Sequence, residues 1–301
     1  MTRNPRRIAY LACHGTVTTS PERRHDAFEH DHSLRIFGPA FEARGYRLEE
    51  IAWDAPDVAW EDFDAAIIGT TWDYAKQPDR FLATLKAMGS RIPLANPPAL
   101  IEWNLSKRYL AELAEQGVPS IPTLWVDRLA DLTPDDIRVG VASEQIVIKP
   151  VIGAGGVNQF KGEADTLPPP DHPLWQQGVM IQPFMASIAE EGELSLIFFD
   201  GVFSHAVRKT PARSDYRVQS AFDGEEHAFV PAAKDLASAQ AVVDALPAPA
   251  LYARVDLVRR PDGELAVMEC ELIEPYLYPR FDASEGQNFV TAVERWLERI
   301  G

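Results

Sequence analysis

Two hydrophobic rhythms divide this chain. From residue 7 to about 95, short apolar runs alternate with amphipathic stretches. "RIAYLA" (7–12) predicts a buried strand, "HSLRIFGPAFEARG" (32–45) a helix closed by Gly45, and "YRLEEIAW" (46–53) a second strand. "DAAIIGTTWDY" (64–74) predicts a third strand running into a polar loop. "PDRFLATLKAMGS" (78–90) opens a helix on Pro78 and Asp79, and "RIPLANP" (91–97) predicts a fourth strand. Strand and helix in alternation imply a small parallel-sheet lobe. "NLSKRYLAELAEQG" (104–117) predicts one further helix, capped by Asn104 and ended by Gly117, and beyond it hairpin patterns take over. "TLPPPDHP" (166–173) predicts a surface loop, and "ASEGQNFVTAVERWLERIG" (283–301) an amphipathic closing helix.

Two hairpins gather charge on one face. In "YARVDLVRRPDGELAVMECELIEP" (252–275) the turn Arg260-Pro261-Asp262-Gly263 sets Asp256 opposite Val267 and Arg254 opposite Glu269. Alternation then puts Arg254, Asp256, Glu269 and Glu271 on one face, and Val255, Leu257, Met268, Cys270 and Leu272 on the other. Carboxylates crowded on one face repel unless a cation neutralises them, and an all-oxygen set suits a hard ion such as magnesium. In a generic hairpin such a face is simply solvated; the apolar-acidic continuation "LIEPYLYP" (272–279) favours the metal reading. In "EGELSLIFFDGVFSHAVRKTP" (191–211) the Asp200-Gly201 turn places Phe199 opposite Val202 and Glu193 opposite Arg208.

Composition sets the outer bounds. The 301 residues suffice for two or three lobes, and 46% apolar with 25% charged residues is ordinary for a globular chain. A formal charge of −16 argues against a nucleic-acid partner, whose phosphates call for basic surfaces. Cys13 and Cys270 lie far apart in apolar runs and suggest neither a disulfide framework nor a metal pair, which points to a reducing cytoplasm. The basic start before "RIAYLA" superficially resembles a secretory signal, but the apolar run stops at His14-Gly15. No stretch approaches the roughly 20 apolar residues of a membrane span. A homo-oligomer is compatible with all of this.

The stretch "IVIKPVIGAGGVNQF" (146–160) ends a β-branched run on Lys149 and Pro150, then gives up side chains at Gly153, Gly155 and Gly156. An edge strand with a loose hairpin would explain it. A phosphate site would too, with bare backbone N–H groups and one cation converging on an anion. It is not a Walker A loop, which needs a lysine followed by Ser or Thr after its glycines, nor a dinucleotide fingerprint, since no helix opens after "GAGG".

In these segments the sequence resembles the ATP-grasp superfamily, most closely its glutathione synthetase-like branch. The resemblance implies an α/β fold in which nucleotide is held between two lobes of antiparallel sheet and helices, behind a parallel-sheet domain. It implies a pre-ATP-grasp domain over 1–98, a central lid subdomain over 99–182 and a C-terminal subdomain with the metal site over 183–301. "NLSKRYL" resembles the helix whose lysine, here Lys107, reaches the nucleotide phosphates. "VIKPVIGAGG" resembles the strand lysine and lid loop, giving Lys149 with Gly153, Ala154, Gly155 and Gly156 a nucleotide role. "MIQPFMASIAEEGE" (180–193) is similar to the hinge that reads adenine through the backbone of Gln182, Pro183, Phe184 and Met185, with Glu190 or Glu191 on the ribose. "AVRKTPARSDYR" (206–217) matches the region of two arginines, implying Arg208 on phosphate and Arg217 on the reacting substrate. "VDLV…MECELIEP" matches the magnesium set, implying Asp256, Glu269 and Glu271 as ligands. These motifs follow the family order over residues 100–275.

The chain departs from that pattern at Glu271, where the family usually has Asn, and at Ser195, where a basic residue is expected. Glu274 stands where glutathione synthetases have a small polar residue, so the resemblance does not extend to glutathione as product. "TTWDYAKQ" (70–77) leaves the third strand at its carboxyl end, where open parallel sheets place ligands. Asp73 could bind a substrate ammonium there and Tyr74 wall the pocket; Asp73 as a helix cap and Trp72 as a packing anchor compete with that reading. Glu274 is the foremost candidate for reading substrate, against a solvated loop acid, and His205 is expected to be a satisfied core histidine. The resemblance implies an ATP- and magnesium-dependent, ADP-forming ligase joining a carboxylate to an amine on small, amino-acid-like substrates through an acyl phosphate. Ring closure of the cycloserine-forming type, a phosphotransferase on the same fold and a non-catalytic ATP-binding module are the alternatives.

Overall fold

The computed structural model describes residues 5–213 and 215–301. Strand β1 (Arg6–Ala12) lies parallel between β2 (Tyr46–Ala52) and β3 (Ala65–Thr70), and β4 (Leu94–Ala95) completes the order β2-β1-β3-β4. Both faces of β1 are covered, which is why its apolar run is continuous. Ile8 and Tyr10 share a core with Phe37 and Phe41 of α1 (Phe28–Glu42), while Ala9 and Leu11 share another with Phe81 and Leu85 of α2 (Pro78–Gly89).

The single helix expected over 104–117 is two. Helix α3 (Pro98–Leu105) ends at Ser106, and α4 (Tyr109–Glu115) begins after a break that points the Lys107 N–H at the Val151 carbonyl, 2.8 Å away. Asn104 does not cap the second helix. It is buried in the last turn of the first, where its amide donates to Cys270 O (2.8 Å) and accepts from Leu272 N (3.0 Å). The side chain thus stands in for a neighbouring strand on either side of Glu271 and fixes where that acid stands.

The second sheet has the order β5-β8-β6-β7, from β5 (Leu124–Val126), β6 (Gln145–Pro150), β7 (Phe160–Glu163) and β8 (Val179–Pro183). Helix α5 (Pro134–Val141) backs it, opened by a capping box between Thr133 and Asp136. After the short α6 (Ser187–Glu190) comes the third sheet, in the order β11-β10-β9-β12-β13. Its strands are β9 (Glu193–Phe199), β10 (Val202–Thr210), β11 (Glu225–Phe229), β12 (Tyr252–Arg259) and β13 (Leu265–Glu271), with α7 (Ala233–Asp244) against it. The closing helix α8 (Gln287–Ile300) joins this sheet to the first lobe: the Phe289 ring lies 4.8 Å from Phe37 and 4.9 Å from Phe199.

Both hairpin registers differ from expectation, for local reasons. In β9–β10 the turn pairs Phe199 with Val202 as expected, but an irregularity between Phe203 and His205 slips the ladder by one. Lys209, not Arg208, then faces Glu193, and Arg208 lies opposite Leu194 on the exposed side. In β12–β13 the turn is one residue longer, since Arg260 N–H bonds Glu264 O (2.9 Å) and Gly263 takes φ +84°. A bulge beside Asp256 adds a second shift, so Asp256 pairs with Glu269 and Arg254 with Glu271. The four charged residues still share a face. Met268, expected in the core with Val255, is turned to the opposite cluster with Ile121, Met185 and Ile188, and Val267 takes its place.

Candidate active site

The charged face of β9, β10, β12 and β13 looks across a cleft at the second sheet, and nearly every group on it is paired. The Asp256 carboxylate accepts from the Arg254 guanidinium (2.9 Å) and from Ser195 Oγ, with Lys209 Nζ at 3.4 Å. Arg254 also binds Glu271, Lys209 binds Glu193, and Lys107 binds Glu269. Burial alone would push the Asp256 carboxyl up; Arg254 and Lys209 overcome that and hold it below the usual range. Glu271 is pushed up to about 7, by burial first and by Glu269 and Asp256 against the pull of Arg254. Burial, then Glu271 and Glu269, drives the Glu274 carboxyl well above its ordinary value.

The two lysines of the motifs converge on the cleft from different elements. Lys107 Nζ also donates to Gly153 O at 2.9 Å, tying the α3–α4 break to the glycine loop. Burial works against its charge, but Glu269 prevails and raises its pKa above the ordinary lysine value. Lys149, on β6, has its pKa lowered by burial, with Lys107 acting in the same direction. Among the described residues no carboxylate forms an ion pair with it. Glu269 pulls the other way without bonding to it, and a half-buried ammonium so placed is suited to an anionic ligand. Gly155 (φ +64°) and Gly156 (φ +70°) adopt the left-handed backbone that gives the loop its turn.

A small, partly open cavity beside the carboxylates is lined by Tyr74, Lys107, Ala154, Glu269, Glu271 and Glu274. Tyr74 and Glu274, nominated from separate lobes, therefore meet at one place. Trp72 anchors that meeting by donating Nε1–H to the Glu274 carbonyl at 3.0 Å. Asp73 does not join them: its carboxylate accepts from Trp53 Nε1 (2.8 Å) inside the first lobe, and it makes no side-chain cap. His205 is buried and bonded to Leu277 O (2.9 Å).

At the hinge, Gln182 is buried with its amide on Thr123 Oγ1 (2.9 Å), and Pro183 pairs with Ile146. Pro183 has no N–H and the Phe184 N–H is committed to Gln145 O (2.9 Å), so these two hinge residues can meet a base only through their carbonyls. Met185 lies in the apolar cluster with Met268. Glu191 is held by Arg259 through two bonds of 2.7 and 2.8 Å, whereas Glu190 is exposed on α6.

The two arginines sit elsewhere than expected. Arg208 is exposed on the far side of the sheet. Arg217, on the β10–β11 loop, is paired with Asp215 (2.7 Å) and stacked 3.4 Å over Phe222, off the carboxylate face. The basic groups that do occupy this face are Lys209 and Arg254. The bulge at Ser204, which brings Lys209 here, has no signature in composition, whereas the place of Arg254 on the acidic face follows from alternation.

The donor set suits a magnesium ion in its chemistry, all carboxylate oxygen with Asp256 and Glu269 directly opposite one another. Among the described residues no three acidic, histidine or cysteine side chains converge closely enough to hold an ion unaided. Lys107 and Arg254 are interleaved among the acids, so these carboxylates would have to release a basic partner before they could hold a magnesium ion.

Comparison with known proteins agrees with this architecture. Residues 8–96 match the family described as D-cycloserine synthetase DcsG, N-terminal domain. The cycloserine biosynthesis protein DcsG of Streptomyces lavendulae is 32% identical over 271 residues, covering 84% of this chain and 90% of the relative. The crystal structure of D-cycloserine synthetase DcsG superposes with a TM-score of 0.83 at 28% identity, covering 97% of this chain and 99% of the other. A D-alanine–D-alanine ligase from Bacillus anthracis shares the fold, with a TM-score of 0.69, 17% identity and 98% of each chain covered.

Proposed function

The chain belongs to the ATP-grasp ligases, in the same family as the cycloserine biosynthesis protein DcsG, and from that premise we propose that it closes a ring. It uses ATP to activate the carboxylate of an amino-acid-like molecule, which a nitrogen of that same molecule then attacks. The observation carrying the ligase reading is the half-buried Lys149 of β6, without a carboxylate partner among the described residues, together with the paired carboxylates of β12 and β13. The similarity to a cycloserine-forming relative along most of both chains favours ring closure over joining two molecules.

In this reading Lys107, Lys149 and the backbone of Gly153 to Gly156 cradle the phosphates. The hinge from Gln182 to Met185 reads adenine, through backbone groups other than the Phe184 N–H, and an acid of the pair Glu190 and Glu191 holds the ribose. Asp256 and Glu269, with Glu271 beside them, would hold magnesium, which supplies charge neutralisation on the transferring phosphoryl group. A substrate carboxylate oxygen bonds to the γ-phosphorus and ADP leaves. The nitrogen then bonds to the acyl carbon and loses a proton to water, and the carbon–oxygen bond breaks to release phosphate. Arg254 is assigned to the charge that develops on the acyl oxygen, in place of Arg217, because it stands on the carboxylate face. Tyr74 and Glu274 wall the substrate end. The two buried free cysteines support a cytoplasmic setting, and no helix among the described residues is long and apolar enough to cross a membrane.

A screen of amino-acid derivatives bearing a free carboxylate and a second nitrogen tests the reading. It expects ADP and phosphate release with one organic substrate alone. Release only when a separate amine is added would replace ring closure by ligation of two molecules, and a stable phosphorylated product would replace both by phosphoryl transfer.

A further inference from the structure

Lys161 is a second cation on the Lys149 face of the second sheet, and no motif accounts for it. On β7 it pairs with Val147, two residues from Lys149, so alternation turns Lys161 and Lys149 to the same face. Among the described residues no carboxylate forms an ion pair with it. Its ammonium instead lies 3.4 Å from the centre of the Phe184 ring and 5.5 Å from that of Tyr216. The two rings meet edge to face, 6.0 Å apart at 87°. Phe184 belongs to the hinge after β8, and Tyr216 to the β10–β11 loop of the third sheet. One lysine therefore joins the two lobes that face each other across the cleft.

The same loop touches the second sheet's glycine turn. A Cβ placed on Gly156 would stand 3.1 Å from Gln219 Oε1 and 3.4 Å from the Phe222 ring, so the loop rests on bare backbone there. Among the described residues Gln219 Oε1, buried at this contact, has no hydrogen-bond partner. Within the loop, Asp215 accepts from the N–H groups of Tyr216 (2.7 Å) and Arg217 (3.0 Å) and from the Arg217 side chain. Residues 215–217 thus share one hydrogen-bonded turn, which couples the place of the Tyr216 ring to that of Asp215 and Arg217.

We propose that Lys161 is a positioning residue, a cation–π clasp that holds the β10–β11 loop down on the hinge and the glycine turn and so keeps the roof of the cleft in place. The proposal rests on the contacts and not on the identity of the substrate. An ammonium between two aromatic faces contributes little where water reaches it and more where the rings exclude water, which corresponds to roughly a three- to thirtyfold shift in an opening equilibrium.

The test uses the free full-length protein and an arginine-specific protease, reading by mass spectrometry the cleavage after Arg213 and Arg217. Cleavage of a loop that opens and closes quickly follows the population of its open form. Lys161→Met and Tyr216→Leu should each speed cleavage roughly three- to thirtyfold. Lys161→Arg, which keeps a cation over the rings, should restore the slow rate. The double variant should cleave no faster than the quicker single one, because both remove one interaction. Unchanged cleavage in Lys161→Met, no rescue by arginine, or effects that multiply in the double variant would each overturn the clasp. Because no nucleotide is present, none of these outcomes depends on the ligase reading.

Discussion

Replacing Lys209 by methionine is the perturbation in which the fold and the site are most tightly joined. Its side chain is 2% exposed, and its ammonium is shared between Glu193, which is 5% exposed, and Asp256, which is 3% exposed. Asp256 keeps Arg254 and Ser195 when the lysine is removed, whereas Glu193 is left as a buried carboxylate without its cation. Breaking one side of such a pair costs about 3–5 kcal/mol, a large part of the roughly 5–15 kcal/mol that holds a domain together. Urea unfolding followed by tryptophan fluorescence at pH 7 should therefore place Lys209→Met far below the wild type. Arg208→Met, on the exposed side, should stay within about 0.5 kcal/mol. Adding Glu193→Gln to Lys209→Met should recover much of the loss, since the penalty belongs to the orphaned charge. If Arg208→Met proved as costly as Lys209→Met, or the second substitution recovered nothing, the register slip at Ser204 and the reasoning built on it would be wrong.

Lys149→Met should weaken binding of a non-hydrolysable ATP analogue at least tenfold by calorimetry, because a charge-assisted contact to phosphate is worth about 1.5–3 kcal/mol; unchanged affinity would remove Lys149 from the nucleotide site. Asp256→Asn and Glu269→Gln should abolish magnesium-dependent ADP release while analogue binding persists in weakened form, and wild-type release in both would refute the metal assignment. Glu29, at the start of α1 and bonded to Ser220 of the β10–β11 loop, has its carboxyl pushed by burial from 4.5 up to about 7. The folded state then holds that proton more tightly than the unfolded one, so the contribution of Glu29 to stability is complete below pH 4.5 and is lost as pH rises toward and through 7, by on the order of 3 kcal/mol. Unfolding midpoints against pH should fall less steeply between pH 4.5 and 7 in Glu29→Gln than in the wild type, Glu271 and Glu274 supplying what remains of the slope; an equal slope in both would place the titration elsewhere.

The parts of this molecule that repeat a period were legible in its sequence. The continuous apolar run of β1 and the stripe of α8 each announce their element and its buried side. Turn residues announced the hairpins, and the acidic face of β12 and β13 emerged from alternation alone. What alternation cannot carry is a single extra residue. The bulges at Ser204 and Met268 and the longer turn before Glu264 each move the register by one, and one step decides whether Arg208 or Lys209 faces the site. The break between α3 and α4 was hidden for a different reason. Its residues are good helix formers, and the cause lies 166 positions away in a strand that needs the Asn104 amide. Asp73 and Tyr74 are neighbours in one loop, yet one bonds Trp53 and the other lines the cavity with Glu274, a division settled by packing between lobes.

The central claim is that a carboxylate is activated by phosphorylation before its carbon is attacked, and oxygen labelling tests it directly. With substrate carrying ¹⁸O in its carboxylate, one labelled oxygen forms the bond to phosphorus and remains with phosphorus when the carbon–oxygen bond breaks. The predicted result is ¹⁸O in the released inorganic phosphate, with ADP as the other product. Unlabelled phosphate, AMP with pyrophosphate, or label retained in a stable phosphorylated product would contradict the account.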